Sequence, residues 1–431
     1  MEYYLRGGLS VLSKKMSHFY FIAKNWRFLS FGFLLTFICN LGQTFFIGLY
    51  SGVIRADYDL SSGDFGALYG VATLCSAGLI IWVGRLVDKI DLRIYTLWVI
   101  AAMVLACVLM YAGTNIITLG LAIALLRLSG QGLMPHISNT SMGRYFESAR
   151  GRAVSIAHMG ISAGQIILPV AAAFLISHAG WRESWAAYGL VLVFAAAPLT
   201  LFFLKGHGER HRRWEAEITV AESQTGQHSR MKSPLRDGVF RDKRFFIILP
   251  GFLSLPLFGT SIFFFQDELL TAKGWDQNLF AFSFPFLAAS MMVSSLAGGF
   301  LIDRIGSSLK LLPLIYIPFI IALLTLAGAQ NPFWLPAMML LIGASTGLLS
   351  VVGGTLWPEM YGTRALGAVR SFVMALMVLG TAATPAVVGL LYDAGISVAA
   401  TYMGFAIYMI AFGILQLPLG YGNKNDTFKK K

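Results

Sequence analysis

Gly84-Arg-Leu-Val-Asp88-Lys89 and Gly299-Phe-Leu-Ile-Asp303-Arg304 are one short phrase written twice, about 215 residues apart, each closing a long apolar run. Other punctuation keeps step with it. Gly151 and Gly367 open apolar runs, Pro169 and Pro385 sit inside them, and Gly180 and Gly395 follow, at offsets of 216, 216 and 215. Matches kept in one order over a fixed period mark an internal repeat. The chain reads as two homologous halves.

The composition says what solvent those halves meet. Of 431 residues, 56% are hydrophobic and only 13% charged, whereas soluble domains are about one-quarter charged. Ile94–Leu126 carries no charge at all. Soluble multidomain, disordered, collagen-like, disulfide-rich and nucleic-acid-binding classes are excluded. A membrane-spanning helix needs about 20 apolar residues, and twelve runs qualify: 28–53, 64–84, 94–113, 116–142, 153–176, 185–204, 245–267, 279–302, 310–329, 333–356, 367–391 and 399–420. The expected fold is an all-α membrane protein with twelve transmembrane helices in two homologous six-helix bundles. Residues 1–27 form an amphipathic lead-in (Met16 is an alternative start to Met1), 28–204 the first bundle and 205–244 a charge-dense linker. The second bundle takes 245–420 and a polar tail 421–431. The first apolar run is too long for a cleavable signal.

The net charge of +12 is a matter of topology. Lys and Arg concentrate in cytoplasmic loops. On the side of the N-terminus and the linker fall 29 of the 33, while Arg55, Arg182 and Lys273 fall opposite and Arg127 lies inside a span. Both termini and the linker are thus expected in the cytoplasm, in a multi-pass protein of the inner or plasma membrane. Cys39, Cys75 and Cys107 all lie in apolar runs and imply no disulfide framework.

Repeated six-span halves suit a transporter built around a midplane cavity. Gly84-x3-Asp88-Lys89-x3-Arg93 in the second loop resembles the loop signature of the major facilitator superfamily. Gly299-x3-Asp303-Arg304 resembles its second copy, and Arg127-Leu-Ser-Gly130-Gln-Gly132 resembles that superfamily's RxxGxG motif. Arg150-Gly-Arg-Ala153, Gly180-Trp181-Arg182 and Pro385-x3-Gly389-x3-Asp393 are similar to the monocarboxylate and oxalate/formate-type branch. Two departures qualify the branch. Leu279–Ile302 lacks the acidic–arginine pair of eukaryotic monocarboxylate transporters, and Gly160 and Gly164 are followed by Gln165 rather than the proline of antiporters. The resemblance implies the major facilitator fold, with spans one, four, seven and ten lining the cavity.

Arg127 is the formally charged residue deep inside a span. An ionised group there is costly and should face a cavity or a partner. It reads either as an anion-recognising group or as a structural arginine bonded to helix-end carbonyls. Gln131 lies one turn away. Span one adds a polar stripe of Thr36, Asn40, Gln43 and Thr44, span seven Thr260, Phe263 and Gln266, and span ten Thr346, Ser350 and Gly353. The expected substrate contacts are Arg127, Gln131, Asn40, Gln43, Thr44 and Gln266, though interhelical hydrogen bonding explains any one of them equally well. Gating is expected from Gly84, Asp88, Arg93, Gly299, Asp303 and Arg304, with the two aspartates latching neighbouring helix ends. His136 and His158 are the candidate proton sites. Asp267 and Glu268 lie at the outer end of span seven and Glu359 at the inner end of span ten. Trp26, Trp181, Trp185, Trp275, Trp334 and Trp357 fall near span ends, as interfacial anchors.

No nucleotide fingerprint or metal-ligand cluster occurs, so neither a cofactor nor ATP-driven pumping is expected. The sequence points to a monomeric secondary transporter, and not an enzyme. It would carry a small polar solute, an organic anion by preference, by alternating access, as a gradient-coupled symporter with a proton as the candidate coupling ion. Efflux of amphipathic compounds is the alternative, and a membrane sensor a more distant one. The topology has a direct test: cysteines at Gln224 and Tyr58 should label from opposite membrane faces, and labelling of both from one face would refute twelve spans.

Overall fold

A computed structural model describes residues 2–88, 90–146, 150–212, 239–361 and 366–421. It contains twelve helices long and apolar enough to span a membrane. Those of the first half are Tyr20–Gly48, Ser62–Val83, Leu92–Ala112, Ile116–Met142, Ala153–His178 and Trp181–Phe203. The second half holds Lys243–Phe264, Asn278–Ile302, Ser308–Gly328, Trp334–Tyr361, Phe372–Asp393 and Val398–Gly420. Every expected span is present, with ends displaced by up to eight residues, most at the start of span one (Tyr20 against 28), and the described residues contain no strand. Residues 213–238 of the expected linker and 422–431 of the expected tail lie outside the described residues.

The outer surface is apolar. Phe194, Leu296 and Phe300 are largely exposed, an arrangement that suits lipid and not water. The tryptophans divide. Trp26 and Trp334 are exposed near span ends as anchors should be, but Trp185, Trp275 and Trp357 are buried. Trp357 stacks edge-on against Phe252, and Trp275 donates its indole N–H to the Gln330 carbonyl at 2.8 Å. Position along a span located these rings; which face of the helix each occupied decided their role.

Span one is not one helix. The α-helix Glu2–Ile38 tightens into a 3-10 turn at Cys39–Gly42, becomes extended at Gln43, and resumes as Thr44–Gly48. Two local causes are visible. Asn40 turns its amide onto the carbonyls of Thr36 and Phe37, competing with helix hydrogen bonds. Gly42 lets the chain approach span four so closely that a Cβ there would overlap the Leu126 carbonyl. The polar stripe expected on a regular helix therefore sits on a break. Span four answers it with a π-helical stretch, Arg127–Leu133, beginning at the arginine; such distortions frequently mark functional sites.

The two halves meet on the side away from the linker, here called the far side. Gly63, Gly66 and Gly70 form one face of span two and pack against Ala382, Pro385 and Gly389 on span eleven. Small residues allow this backbone-to-backbone approach. Phe65 and Tyr69 meet Phe264 at 5.1 and 4.5 Å between ring centroids, and Phe45 meets Phe284 at 5.1 Å. Polar ties complete the closure. Asp393 accepts from the Ser61 hydroxyl and the Gly63 amide at 3.0 and 2.9 Å, and Arg55 pairs with Asp267 and Glu268 at 2.9 and 3.0 Å.

The glycine seam yields a prediction that separates closure from folding. Each half has its own packing, so Gly66→Leu, whose side chain would collide with the Pro385 carbonyl, should leave the protein folded but hold the far side apart. Spin labels at Ala56 and Ala272 should report a longer distance than in the parent. An unchanged distance would show that the seam is not what limits closure.

Candidate functional site

Beneath the far-side closure, between the halves, lies a cavity of about 220 Å³. Its first-half wall is Gln43, Thr44, Phe45 and Gln165; its second-half wall includes Leu255, Thr260, Phe263, Phe284, Phe319 and Thr346. The walls differ in chemistry. Thr260 and Thr346 spend their hydroxyl hydrogens on the carbonyls of Pro256 and Ile342 in their own helices, so the second-half wall is aromatic, aliphatic and poor in donors. The first-half wall carries two amides and a hydroxyl.

Thr44 is held by two donors. Its Oγ1 accepts from the Tyr69 hydroxyl at 2.8 Å and from Arg127 Nη1 at 3.2 Å, leaving its own hydrogen for another partner. Arg127 thus stands one side chain behind the cavity wall. It is buried, also donates Nη1 to the Gly42 carbonyl at 3.2 Å, and lies over the Tyr69 ring at 5.0 Å. The break in span one frees the carbonyl that receives it. Arg127 Nε is buried without a partner, and among the described residues Tyr69 is the ionisable neighbour acting on it. Its charge is unneutralised where the dielectric is low, so it projects a positive potential onto the Gln43–Thr44 wall.

The other expected contacts are scattered. Asn40 is buried and donates to the Ile161 carbonyl of span five at 3.3 Å, while its Oδ1 lacks a partner. Gly160 and Gly164 bring span five against span one at this level, since a Cβ at either would overlap Phe33 or Asn40 atoms. Gln131 is exposed and away from the cavity wall. Gln266 belongs to the far-side closure: it is buried and donates to the Phe45 carbonyl at 3.3 Å and the Phe263 carbonyl at 3.1 Å. The residues brought together at the cavity are Gln43, Thr44 and, behind them, Arg127.

Gln165 is a polar residue of the first-half wall that was not counted among the substrate contacts. Its Oε1 is buried without a donor. The signal was present, because an amide stands where the antiporter pattern has proline. Spans one, five and seven to ten line the cavity, and span four contributes through Arg127 from behind.

The loop motifs lie on the linker side. Gly84 opens a 3-10 turn, Gly84–Asp88, and its carbonyl meets His136 Nε2 at 3.1 Å. Arg93 receives an N-terminal cap from Asp91 at 2.9 Å. Gly299 has open space around it and Arg304 is exposed. The side chains of Asp88 and Asp303 lie outside the described residues. His158 Nε2 pairs with Asn139 Oδ1 at 2.7 Å, so both histidines have partners. Among the described residues no group of metal-binding side chains occurs.

Comparison with known proteins agrees with this architecture. The family model of the Major Facilitator Superfamily matches residues 32–385. Agnestins efflux protein AgnL12 of Paecilomyces divaricatus is 25% identical over 281 residues, covering 64% of this chain and 60% of the relative. Monocarboxylate transporter 13 of Bos taurus is 27% identical over 256 residues, covering 58% and 55%. The chain therefore aligns with little more than half the length of either relative. Among solved structures, the nucleoside transporter NupG superposes with a TM-score of 0.66 at 15% identity, covering 93% of this chain and 99% of that one. An inward-facing, unoccupied bacterial homolog of the human lysosomal transporter Spinster gives 0.65 at 15% identity, covering 91% and 96%. At such identity these structures speak for the fold alone. Twelve spans, two halves closed at one end over a central cavity and a family match across most of the sequence lead to one conclusion: the chain is a multi-pass membrane protein that belongs to the Major Facilitator Superfamily.

Proposed function

We propose that the protein is a gradient-driven secondary transporter of an amphipathic organic acid, working by alternating access between its two halves. The observation that carries this reading is the division of the cavity. Donors line one wall with an unneutralised guanidinium behind them, and an aromatic and aliphatic surface forms the other. A carboxylate set against Gln43, Gln165 and the Thr44 hydroxyl would share the Arg127 potential, and its apolar body would lie on Phe263, Phe284 and Phe319. Ligand pockets are mostly apolar with a few orienting polar groups, and this one fits that pattern.

The remaining organisation belongs to the same proposal. The bundles are residues 28–204 and 245–420, with both termini and the linker in the cytoplasm and the protein a monomer in the inner or plasma membrane. The loop motifs around Gly84, Asp88, Arg93, Gly299, Asp303 and Arg304 gate the linker side. In this scheme Arg127 acts through Thr44 and through charge, while Asn40 and Gln266 shape the path.

A second reading, efflux of neutral amphipathic compounds, is favoured by the absence of a charged side chain on the cavity wall among the described residues. One experiment separates the two. A panel of aromatic and aliphatic carboxylates, with their amides and esters, should be scored by thermal stabilisation of the purified protein. The acids should stabilise and their neutral counterparts should not. Arg127→Lys should remain folded yet bind the best acid about tenfold more weakly or worse, because an ammonium cannot hold Gly42, Thr44 and the Tyr69 face together. Equal binding of the amide or ester, or full affinity in Arg127→Lys, would favour the neutral-substrate reading.

A further inference from the structure

The far-side closure places one guanidinium between two carboxylates. Arg55 Nη2 lies 2.9 Å from Asp267 Oδ2 and 3.0 Å from Glu268 Oε1, and Arg55 Nη1 donates to the Ser62 hydroxyl at 2.9 Å. That hydroxyl in turn donates to Glu268 Oε1 at 2.6 Å. The partners belong to different halves, so the cluster exists only while the far side is shut. Glu268 is the enclosed member. Its side chain is 12% exposed against 34% for Asp267, and its Oε2 is buried with no hydrogen-bond partner. With both acids ionised the cluster carries one excess negative charge and an unserved carboxylate oxygen. A single proton on Glu268 removes the excess and leaves the Arg55–Asp267 pair intact.

We propose that Glu268 is a proton-binding site of the far-side gate, protonated when the halves close over it and ionised when they part. This rests on the alternating-access reading but not on the identity of the substrate. Parting the halves would expose Glu268 to water and restore an ordinary carboxylate, near 4.3. In the closed state burial pushes its carboxyl above that range, against the opposing pull of Arg55 and Ser62. The other titratable groups facing it are Asp267 on its own helix, Tyr392 on span eleven and Tyr402 on span twelve. Proton affinity is therefore higher closed than open. Closure gains fully below the ordinary value, and that gain is lost as pH rises through the raised one. Acid shuts the far side; alkali releases it. Proton affinity that differs between the two states is what a coupling ion requires.

The test needs no substrate. On a background with Cys39, Cys75 and Cys107 replaced, Thr260→Cys reports access to the cavity from the far side through an impermeant maleimide. Labelling should rise by about threefold or more from pH 5 to pH 8, since each unit of pKa difference is a tenfold bias. Glu268→Gln should label slowly at every pH, and Glu268→Asp should restore the dependence. Asp267→Asn, which leaves Arg55 to Glu268 alone, should move the midpoint to lower pH; this variant serves if Glu268→Gln does not fold. Retention of the parent pH profile by Glu268→Gln, or an unmoved midpoint in Asp267→Asn, would overturn the proposal. Labelling that never occurs at any pH would overturn alternating access with it, whereas a failed carboxylate panel alone would leave Glu268 standing.

Discussion

A guanidinium buried among apolar helices without a carboxylate is the constraint from which the rest of this site follows. Arg127 must satisfy its donors with whatever the bundle supplies, and a regular helix supplies no free carbonyl at mid-membrane. Span one supplies one by breaking: the 3-10 turn at Cys39–Gly42 turns the Gly42 carbonyl toward Arg127. Gly130, three residues after the arginine, is what lets the broken segment approach, since a Cβ there would lie 2.7 Å from the Gly42 Cα. The Arg-x-x-Gly spacing thus has a mechanical reading in this chain. The arginine holds the break and the glycine makes room for it.

The break sets the chemistry of the cavity wall. Gln43, the extended residue, and Thr44, the first residue of the resumed helix, both face the cavity. Had span one continued as a helix, its polar residues would have pointed at span five, as Asn40 does. The same local event that satisfies a buried cation therefore turns donors toward the cavity. In the proposed reading, the structural and anion-recognising accounts of Arg127 set out from the sequence are two aspects of one arrangement.

Much of this was legible in the residues and some was not, for reasons that can be named. Twelve spans and the two-fold repeat follow from charge-free runs and punctuation, which burial in lipid enforces strongly. The place of Arg127 deep inside a span follows from the same apolar run. The break does not, because it depends on Gly42 meeting Gly130, a contact between residues far apart in sequence. Gln165 was visible only as a departure from a proline pattern, though its place opposite an apolar wall gives it meaning. Gln266 reads as a cavity amide until the short helix Gln266–Lys273 begins at it and turns it into the closure. Trp185 and Trp357 show the same limit, since a ring near a span end can face lipid or core.

The far side and the cavity are built from different materials, and the difference suits a moving part. Membrane helices gain no hydrophobic energy by associating, since lipid is as apolar as leucine. Within the first half, span five is held to span one by the paired glycines Gly160 and Gly164 and by Asn40 and Thr36 bonding to span-five carbonyls. Between halves the contacts include a glycine seam, a few rings, the Gln266 amide on the Phe45 carbonyl, and carboxylate-to-amide or carboxylate-to-arginine ties near the membrane surface. Water can replace each of the latter when the halves separate, so opening leaves few polar groups stranded. A closure made of leucine ridges would have no such partner waiting in solvent, and one made of buried backbone hydrogen bonds would not release at all. The chemistry of the seam, more than its extent, is what allows two well-packed halves to part.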